Sequence, residues 1–139
     1  MTPKEYFNKL LDLDKEINSK INEQEKIRAT KLGSSVSYNE PIFSNQFHSK
    51  TEDIALKLTE NEERITEMID EYVDMRERIS KEIDQLDDYI YRIVLRERYI
   101  CDKRWEEIAV EQGYVYRSIT RFHGEALQEF ERMFKDKFK

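Results

Sequence analysis

The first thirty residues carry apolar side chains at helical spacing. The run from Thr2 to Glu5 places Thr at the N-cap, Pro at the first helical position and Glu at the third, which together signal a helix start. The apolar positions that follow are Tyr6, Leu10, Leu13, Ile17, Ile21 and Ile27. This pattern predicts a helix from about Pro3 to Lys31.

A linker and a second, longer helix are expected next. One glycine, several serines and Pro41 interrupt the pattern, so residues 33–50 are predicted to form a linker that is too long for a tight hairpin. Ser49 and Glu52 then form a second capping box, and no Gly or Pro follows before Gly113. A second helix is therefore expected to begin at this capping box.

The second helix carries a stripe of apolar residues in heptads. The positions seven residues apart, followed by those of the alternate seam, are Leu58, Ile65, Tyr72, Ile79, Leu86 and Ile93, then Ile69, Met75, Ile83 and Ile90. Polar residues interrupt the seam and disfavour a perfect parallel zipper; these are Asn61, Glu62, Arg76 and Glu82. An antiparallel pairing with the first helix, within one chain or between two, satisfies the same pattern. The stripe alone predicts a helical hairpin or coiled coil, and an oligomer where nothing else covers it, but no activity.

The segment from Trp105 to Phe130 has small and apolar residues where a DNA-binding helix-turn-helix needs them. The core and turn positions are Ile108, Ala109, Gly113, Ile119 and Phe122, with left-handed backbone expected at the glycine. The residues that then share the outer face of the second helix, which such motifs present to the major groove, are Tyr116, Arg117, Thr120 and Arg121. Two residues depart from the motif, because Val115 replaces a Ser or Thr N-cap and Gly124 lies inside the helix, each at about 1 kcal/mol.

The region upstream resembles a known DNA-binding domain. The run YRIVLRERYICDKRWEEIA, from Tyr91 to Ala109, is similar to the first two helices of bacterial sigma factor region 4, which share a VLRxRY pattern, a polar linker and xEEIA. After the turn, RSITRFHGEAL stands in place of the usual recognition helix. This resemblance covers the last third of the chain. The whole chain is similar to a family of small proteins from Gram-positive phages and prophages, related to late-gene transcription regulators of the ArpU and RinA type.

Pattern and resemblance together predict an all-α protein with a long helical hairpin or coiled-coil N-terminal part and a C-terminal sigma region 4-like helix-turn-helix. The expected parts are an N-terminal helix (1–32), a linker loop (33–50), a coiled-coil-like helix (51–84) and a helix-turn-helix domain (85–139). The resemblance implies sequence-specific binding of double-stranded DNA, regulation of phage transcription in the host bacterial cytoplasm, and contact with host RNA polymerase. Two alternatives stay open. One is a phage packaging or assembly component of the small-terminase kind, which also joins a helix-turn-helix to an oligomerising region. The other is a protein-only adaptor that binds RNA polymerase or another protein without DNA.

Charge is unevenly distributed along the chain. Residues 1–84 carry 13 Lys and Arg against 19 Asp and Glu, whereas residues 85–139 carry 11 of each. Between Gln112 and Gly124 there are two arginines and no acid, so the expected DNA-facing surface is locally positive. Further phosphate contacts are expected from four basic residues upstream, Lys103, Arg104, Arg96 and Arg98. Because residues 85–139 have no net charge, their affinity for DNA is expected to be modest and salt-sensitive unless the protein oligomerises.

Composition argues against an enzyme, a metalloprotein or a membrane protein. Of the 139 residues, 39% are charged and 38% hydrophobic, which is typical of long solvated helices. His48, His123 and Cys101 show no spacing typical of a zinc site or a catalytic constellation, and no cofactor is expected. His123 is expected on a helix surface, near phosphate or the partner helix. A lone cysteine fits a reducing cytoplasm, and no apolar run is long enough for a membrane span.

Overall fold

The computed structural model describes residues 1–34 and 44–138, without the side chains of residues 31–34 and 44–50. Its elements are α1 (Pro3–Ser34), α2 (Ser44–Asp84), α3 (Tyr89–Leu95), a π-helical turn (Arg96–Ile100), α4 (Trp105–Gln112), α5 (Tyr116–Met133) and a 3-10 turn (Lys135–Phe138). No strand occurs in these two ranges. The predicted all-α class and the long N-terminal helix are confirmed.

Helix α1 begins as the sequence predicts. The amide of Glu5 donates to Thr2 Oγ1 at 3.2 Å, and the amide of Thr2 donates to Glu5 Oε2 at 2.9 Å. This reciprocal pair satisfies backbone donors that a helix start would otherwise leave free. The helix continues beyond the predicted end at Lys31 and includes Gly33 before it stops at Ser34.

Helix α2 begins earlier than the capping box predicts. Its first residue is Ser44, inside the predicted linker. No Gly or Pro lies between Pro41 and the capping box, so no residue in this stretch strongly opposes a helix. The remainder of the predicted linker, residues 35–43, lies outside the described residues.

Helix α2 ends at Asp84, before the last positions of the predicted stripe. Asp88 then caps α3, because its Oδ1 accepts a hydrogen bond from the amide of Ile90 at 3.0 Å. Leu86 and Ile93 therefore lie beyond α2, and the prediction of one helical stripe running through them is wrong. Asp88 caps the start of a new helix, and the heptad pattern of apolar residues does not reveal such a cap.

The chain divides into two compact units, and each takes a segment from both long helices. The larger unit contains Met1–Leu13 and Tyr72–Lys139, and the smaller unit contains Asp14–Glu71. The four-part division drawn from the sequence stays a prediction. None of the helices within residues 1–34 and 44–138 is long and apolar enough to cross a membrane.

Two apolar clusters form the core of the larger unit. The first joins α1, α2, α3, the π-helical turn and α5 through Tyr6, Phe7, Leu10, Leu11, Ile79, Ile83, Leu86, Leu95, Tyr99, Ala126 and Phe130. The second joins α3, α4 and α5 through Ile90, Val94, Ile108, Ala109 and Ile119. In the first cluster the ring of Phe7 stacks on Tyr99 at 5.0 Å and meets Phe130 edge-on at 4.7 Å between centroids. The start of α1 thus completes the core beneath α5.

In the smaller unit the segments of α1 and α2 run antiparallel. Glu16 lines one groove together with Met68, whereas Ile27 lines another together with Lys57. Later positions on α1 therefore lie beside earlier positions on α2. This is the intrachain pairing that the seam pattern allowed.

Two polar residues that interrupt the predicted seam are buried and paired. In the smaller unit, Asn61 donates through Nδ2 to Gln24 Oε1 at 2.9 Å. In the larger unit, Glu82 accepts a hydrogen bond from the Tyr6 hydroxyl and forms an ion pair with Lys137 Nζ at 2.8 Å. Removing one partner of such a pair would leave a buried polar group unsatisfied, so these residues favour one alignment of the two helices.

Candidate functional site

The turn between α4 and α5 has the backbone that the sequence predicts. Gly113, the C-cap of α4, has a φ of +73° in the left-handed region. The amide of Tyr114 donates to the carbonyl of Ala109 at 3.0 Å and closes the end of α4. A β-carbon on Gly113 would meet no atom within 4 Å, so the requirement for glycine is conformational and not steric.

The residues expected to pack between α4 and α5 do so. Ile108, Ala109 and Ile119 are buried together, and Phe122 packs against them while partly exposed. Helix α3 completes the same cluster. This packing directs one side of α5 inward and leaves the opposite side to solvent.

Helix α5 begins without a side-chain cap, as its sequence implies. Val115 has the extended backbone of an N-cap residue, with φ −75° and ψ 155°, but its side chain accepts no hydrogen bond. Only its carbonyl is used, accepting from the amides of Ser118 at 3.0 Å and Ile119 at 3.2 Å. The geometry of a cap is present without the capping oxygen, at a cost of about 1 kcal/mol.

Three of the four residues predicted to read DNA are exposed on α5. Tyr116 is 50% exposed, and Arg117 and Arg121 are also exposed. Thr120 is only partly exposed, and its hydroxyl donates to the carbonyl of Arg117 at 2.9 Å. It also lines a cavity that includes Lys4 of α1, so it lies at the edge of the surface that the other three share.

The two arginines of this surface are in different electrostatic environments. Arg121 Nε lies 3.8 Å from Glu125 Oε1, and its guanidinium lies 5.1 Å from the centroid of the Phe122 ring. Within the ranges that the structure describes, Arg117 has no carboxylate at ion-pair distance. The charge of Arg117 is therefore the more available of the two.

The two basic residues before α4 also differ. Lys103 Nζ lies 2.8 Å from Glu97 Oε2 and 2.6 Å from Glu111 Oε2, and these two carboxylates raise the pKa of Lys103. Arg104 is exposed and pairs at 2.9 Å with Glu107 on the next turn. A ligand phosphate would compete with two carboxylates for Lys103 and with one solvated carboxylate for Arg104.

The arginines of the π-helical turn are engaged within the chain. Arg96 Nη2 lies 2.5 Å from Asp84 Oδ1. Arg98 Nη1 donates to the carbonyl of Lys103 at 2.9 Å, and its guanidinium lies 4.9 Å from the centroid of the Trp105 ring. The part expected of both arginines in phosphate binding stays a prediction.

His123 is partly buried, which corrects its expected place on the helix surface. Its Nε2 lies 2.7 Å from the Tyr99 hydroxyl, and its ring lies 4.4 Å from the Trp105 ring. Burial lowers the pKa of His123 to about 4, and the charges of Lys4 and Arg98 act in the same direction. Burial also raises the pKa of Tyr99 to about 12. Tyr99 of the π-helical turn and Trp105 of α4 cover this side of α5, which the local pattern does not reveal.

An exposed patch beside the turn is not foreseen in the sequence. This turn patch consists of Tyr89, Val110, Tyr114, Val115 and Tyr116, all of which are exposed. The side chain of Tyr89 lies beside that of Tyr114 and raises the pKa of Tyr114, and Val110 is 82% exposed. Tyr89 precedes the turn by two helices, so only the fold brings it beside Tyr114.

The outer surface of α5, formed by Tyr116, Arg117, Thr120 and Arg121, presents guanidinium, phenol and hydroxyl groups. Such groups are suited to binding a polyanion. Among residues 1–34 and 44–138 no cluster of three His, Cys, Asp or Glu side chains is placed to hold a metal ion. No protein-family model, curated protein or solved structure gives a significant match to this chain.

Proposed function

We propose that the protein binds specific sites on double-stranded DNA and regulates phage or prophage transcription in the host bacterial cytoplasm. In this proposal α4 and α5 form a sigma region 4-like helix-turn-helix, and α5 enters the major groove. The observation that carries the proposal is Arg117, which is exposed on α5 and has no carboxylate partner among the described residues. The absence of acids from Gln112 to Gly124 supports the same conclusion.

The proposed contacts follow from the environment of each side chain. A major groove of about 12 Å admits an α-helix, and an arginine there can donate two hydrogen bonds to the O6 and N7 atoms of guanine. Arg117 has the freedom to do so, whereas Arg121 must first leave Glu125. Arg104 is the better phosphate contact before α4, because Lys103 is held by two carboxylates.

A homo-oligomer would supply the second half-site that such DNA-binding proteins commonly use. Exposed apolar side chains on α2 of the smaller unit support this part of the proposal. Leu56 is 59% exposed and Ile69 is 40% exposed. A solution mass above that of one 16.9 kDa chain would agree with an interface there.

The turn patch favours a second candidate function, that of an adaptor that binds host RNA polymerase or another protein. Exposed tyrosines beside aliphatic side chains are typical of protein interfaces, where aromatic anchors supply much of the binding energy. The two functions are compatible if α5 binds DNA while Tyr89 and Val110 contact the polymerase. Changing Val110 to Ser would then weaken polymerase binding and leave DNA binding intact.

Selection from fragmented DNA of the protein's own genome tests the proposal. We expect the wild type to enrich fragments that share a short sequence, and Arg117→Ala to lose most of that enrichment. Arg64→Ala is the matched control, because Arg64 is also an exposed arginine but lies on α2 in the smaller unit. Recovery of fragments without any shared sequence by the wild type would overturn sequence-specific binding and leave the adaptor function.

A further inference from the structure

A cavity of about 380 Å³ lies in the larger unit between α1, the π-helical turn, α4 and α5. Its walls include the charged side chains of Lys4 and Arg98 and the polar side chains of Asn8 and His123. Of the four residues predicted to read DNA, only Thr120 reaches it. The cavity is thus largely separate from the exposed face that carries Arg117.

The cavity carries positive charge without a compensating acid. None of the described residues that line it is Asp or Glu. Neither Lys4 nor Arg98 has a carboxylate at ion-pair distance within the described part of the chain, whereas Arg96, Arg104, Arg121 and Arg132 each have one. An anion placed between these two cations would be attracted by both and repelled by no neighbour that lines the walls.

The pKa of the His123 imidazole in the cavity wall is also affected by these two positive charges. The pKa of His123 is lowered by burial and then by the positive charges of Lys4 and Arg98. Burial disfavours a charge of either sign, but the part of the shift that comes from Lys4 and Arg98 disfavours a third positive charge and favours a negative one. The electrostatic and geometric observations therefore agree on the sign of the ligand.

The hydrogen-bonding groups narrow the ligand class further. The Trp105 ring already contacts the guanidinium of Arg98 at 4.9 Å and the imidazole of His123 at 4.4 Å, so it is not free to stack on a base. Arg98 donates through Nη1 to the carbonyl of Lys103, and its remaining N–H groups can donate to a ligand. The side-chain amide of Asn8 adds a neutral donor. Cationic and neutral donors around a small cavity are the usual partners of phosphate oxygens.

We propose that this cavity binds a phosphate group, with Lys4 and Arg98 as its charged contacts and Asn8 as a neutral donor. The phosphate belongs either to a DNA backbone that passes beside α5 or to a free phosphorylated compound. The chemistry is the same in both cases, so the site stands independently of sequence-specific DNA reading. If the source is DNA, α1 becomes part of the interface and places a backbone phosphate next to Thr120.

Trp105 makes the cavity directly observable, because it is the only tryptophan in the chain. Its fluorescence is titrated with sodium phosphate at constant ionic strength, and separately with a duplex DNA of arbitrary sequence. The variant is Lys4→Gln, which removes one charge from an exposed helix position. The matched control is Lys9→Gln on the same helix, because Lys9 is also exposed but does not line the cavity.

We expect a saturable change in Trp105 fluorescence with at least one of the two probes. Lys4→Gln should weaken that response by about tenfold or more, as for loss of a charge-assisted hydrogen bond, and Lys9→Gln should leave it unchanged. Competition between duplex DNA and phosphate would identify the backbone as the source, and its absence would identify a free phosphorylated compound. No saturable response to either probe, or equal weakening by both variants, would overturn the proposal. If the protein responds to phosphate but shows no preference for any DNA sequence, the phosphate site is supported and the proposed function is overturned.

Discussion

Single residues that are equivalent in the sequence differ once the chain is folded. Arg117 and Arg121 stand one turn apart in a stretch without acids, and the sequence predicts the same role for both. In the structure Glu125 lies near Arg121, whereas Arg117 has no carboxylate at ion-pair distance among the described residues. The residue types of the candidate site were predictable from the sequence. Which arginine forms an ion pair, and therefore which one is more available to DNA, depends on side-chain geometry.

His123 gives a prediction at this scale. Its folded pKa of about 4 lies below the value of 6.5 for an ordinary histidine, so the unfolded chain takes up the proton first. We expect the free energy of unfolding to fall by at most about 1.4 kcal/mol per pH unit as the pH drops from 6.5 toward 4. Denaturant unfolding of the wild type and of His123→Gln at each pH checks this.

Asp and Glu side chains in general titrate near the lower end of the same pH range, so the informative quantity is the difference in stability between the two proteins. The stability of His123→Gln should decline less steeply with falling pH. Parallel curves for both proteins would show that the imidazole is not held neutral in the folded state.

At the scale of the element, the helix ends that were predicted correctly are those determined by interactions between residues close in sequence. The start of α1 depends on Thr2 and Glu5, and the end of α4 depends on Gly113, all of which act within one helical turn. The predicted continuation of the apolar stripe within one helix beyond Asp84 was wrong for the converse reason. Heptad periodicity runs on through Leu86, but Asp88 supplies a helix start that competes with it.

The start of α5 yields a prediction at this scale. Val115 already has N-cap backbone but lacks a capping oxygen, so Val115→Ser should raise the free energy of unfolding by about 1 kcal/mol. Val110→Ser is the control, because that valine is also exposed but lies inside α4. Thermal or denaturant unfolding measures both. A gain that is no larger for Val115→Ser than for Val110→Ser would mean that the serine hydroxyl does not cap α5.

At the scale of the whole molecule, the contacts that the sequence did not predict are those between its two ends. Phe7 packs against Tyr99 and Phe130, and Lys4 lines a cavity with His123. Helical periodicity identifies which face of each helix is apolar, but it does not say which distant helix covers that face. The all-α class was therefore predictable, whereas the part that α1 plays beneath α5 was not.

Phe7 tests this joint core. The side chain is completely buried in the first apolar cluster, so Phe7→Ala should destabilise the protein by about 3 to 5 kcal/mol. The same loss should appear in the helical signal of the intact chain and in the fluorescence of Trp105, which lies on α4 and not on α1. A transition seen by helical signal alone, with Trp105 unaffected, would mean that α1 is not part of the core that supports α4 and α5.

The central claim is that α5 reads a DNA sequence through Arg117. The most direct measurement is the affinity of wild type and Arg117→Ala for an enriched site and for a scrambled duplex, each at several salt concentrations. We predict that Arg117→Ala loses about 1 to 3 kcal/mol on the site and much less on the scrambled duplex. Arg104→Ala, a phosphate-contact control, should weaken both duplexes alike and reduce the salt slope by about one. Equal affinity of wild type and Arg117→Ala for the site, or equal losses on both duplexes, would contradict the claim.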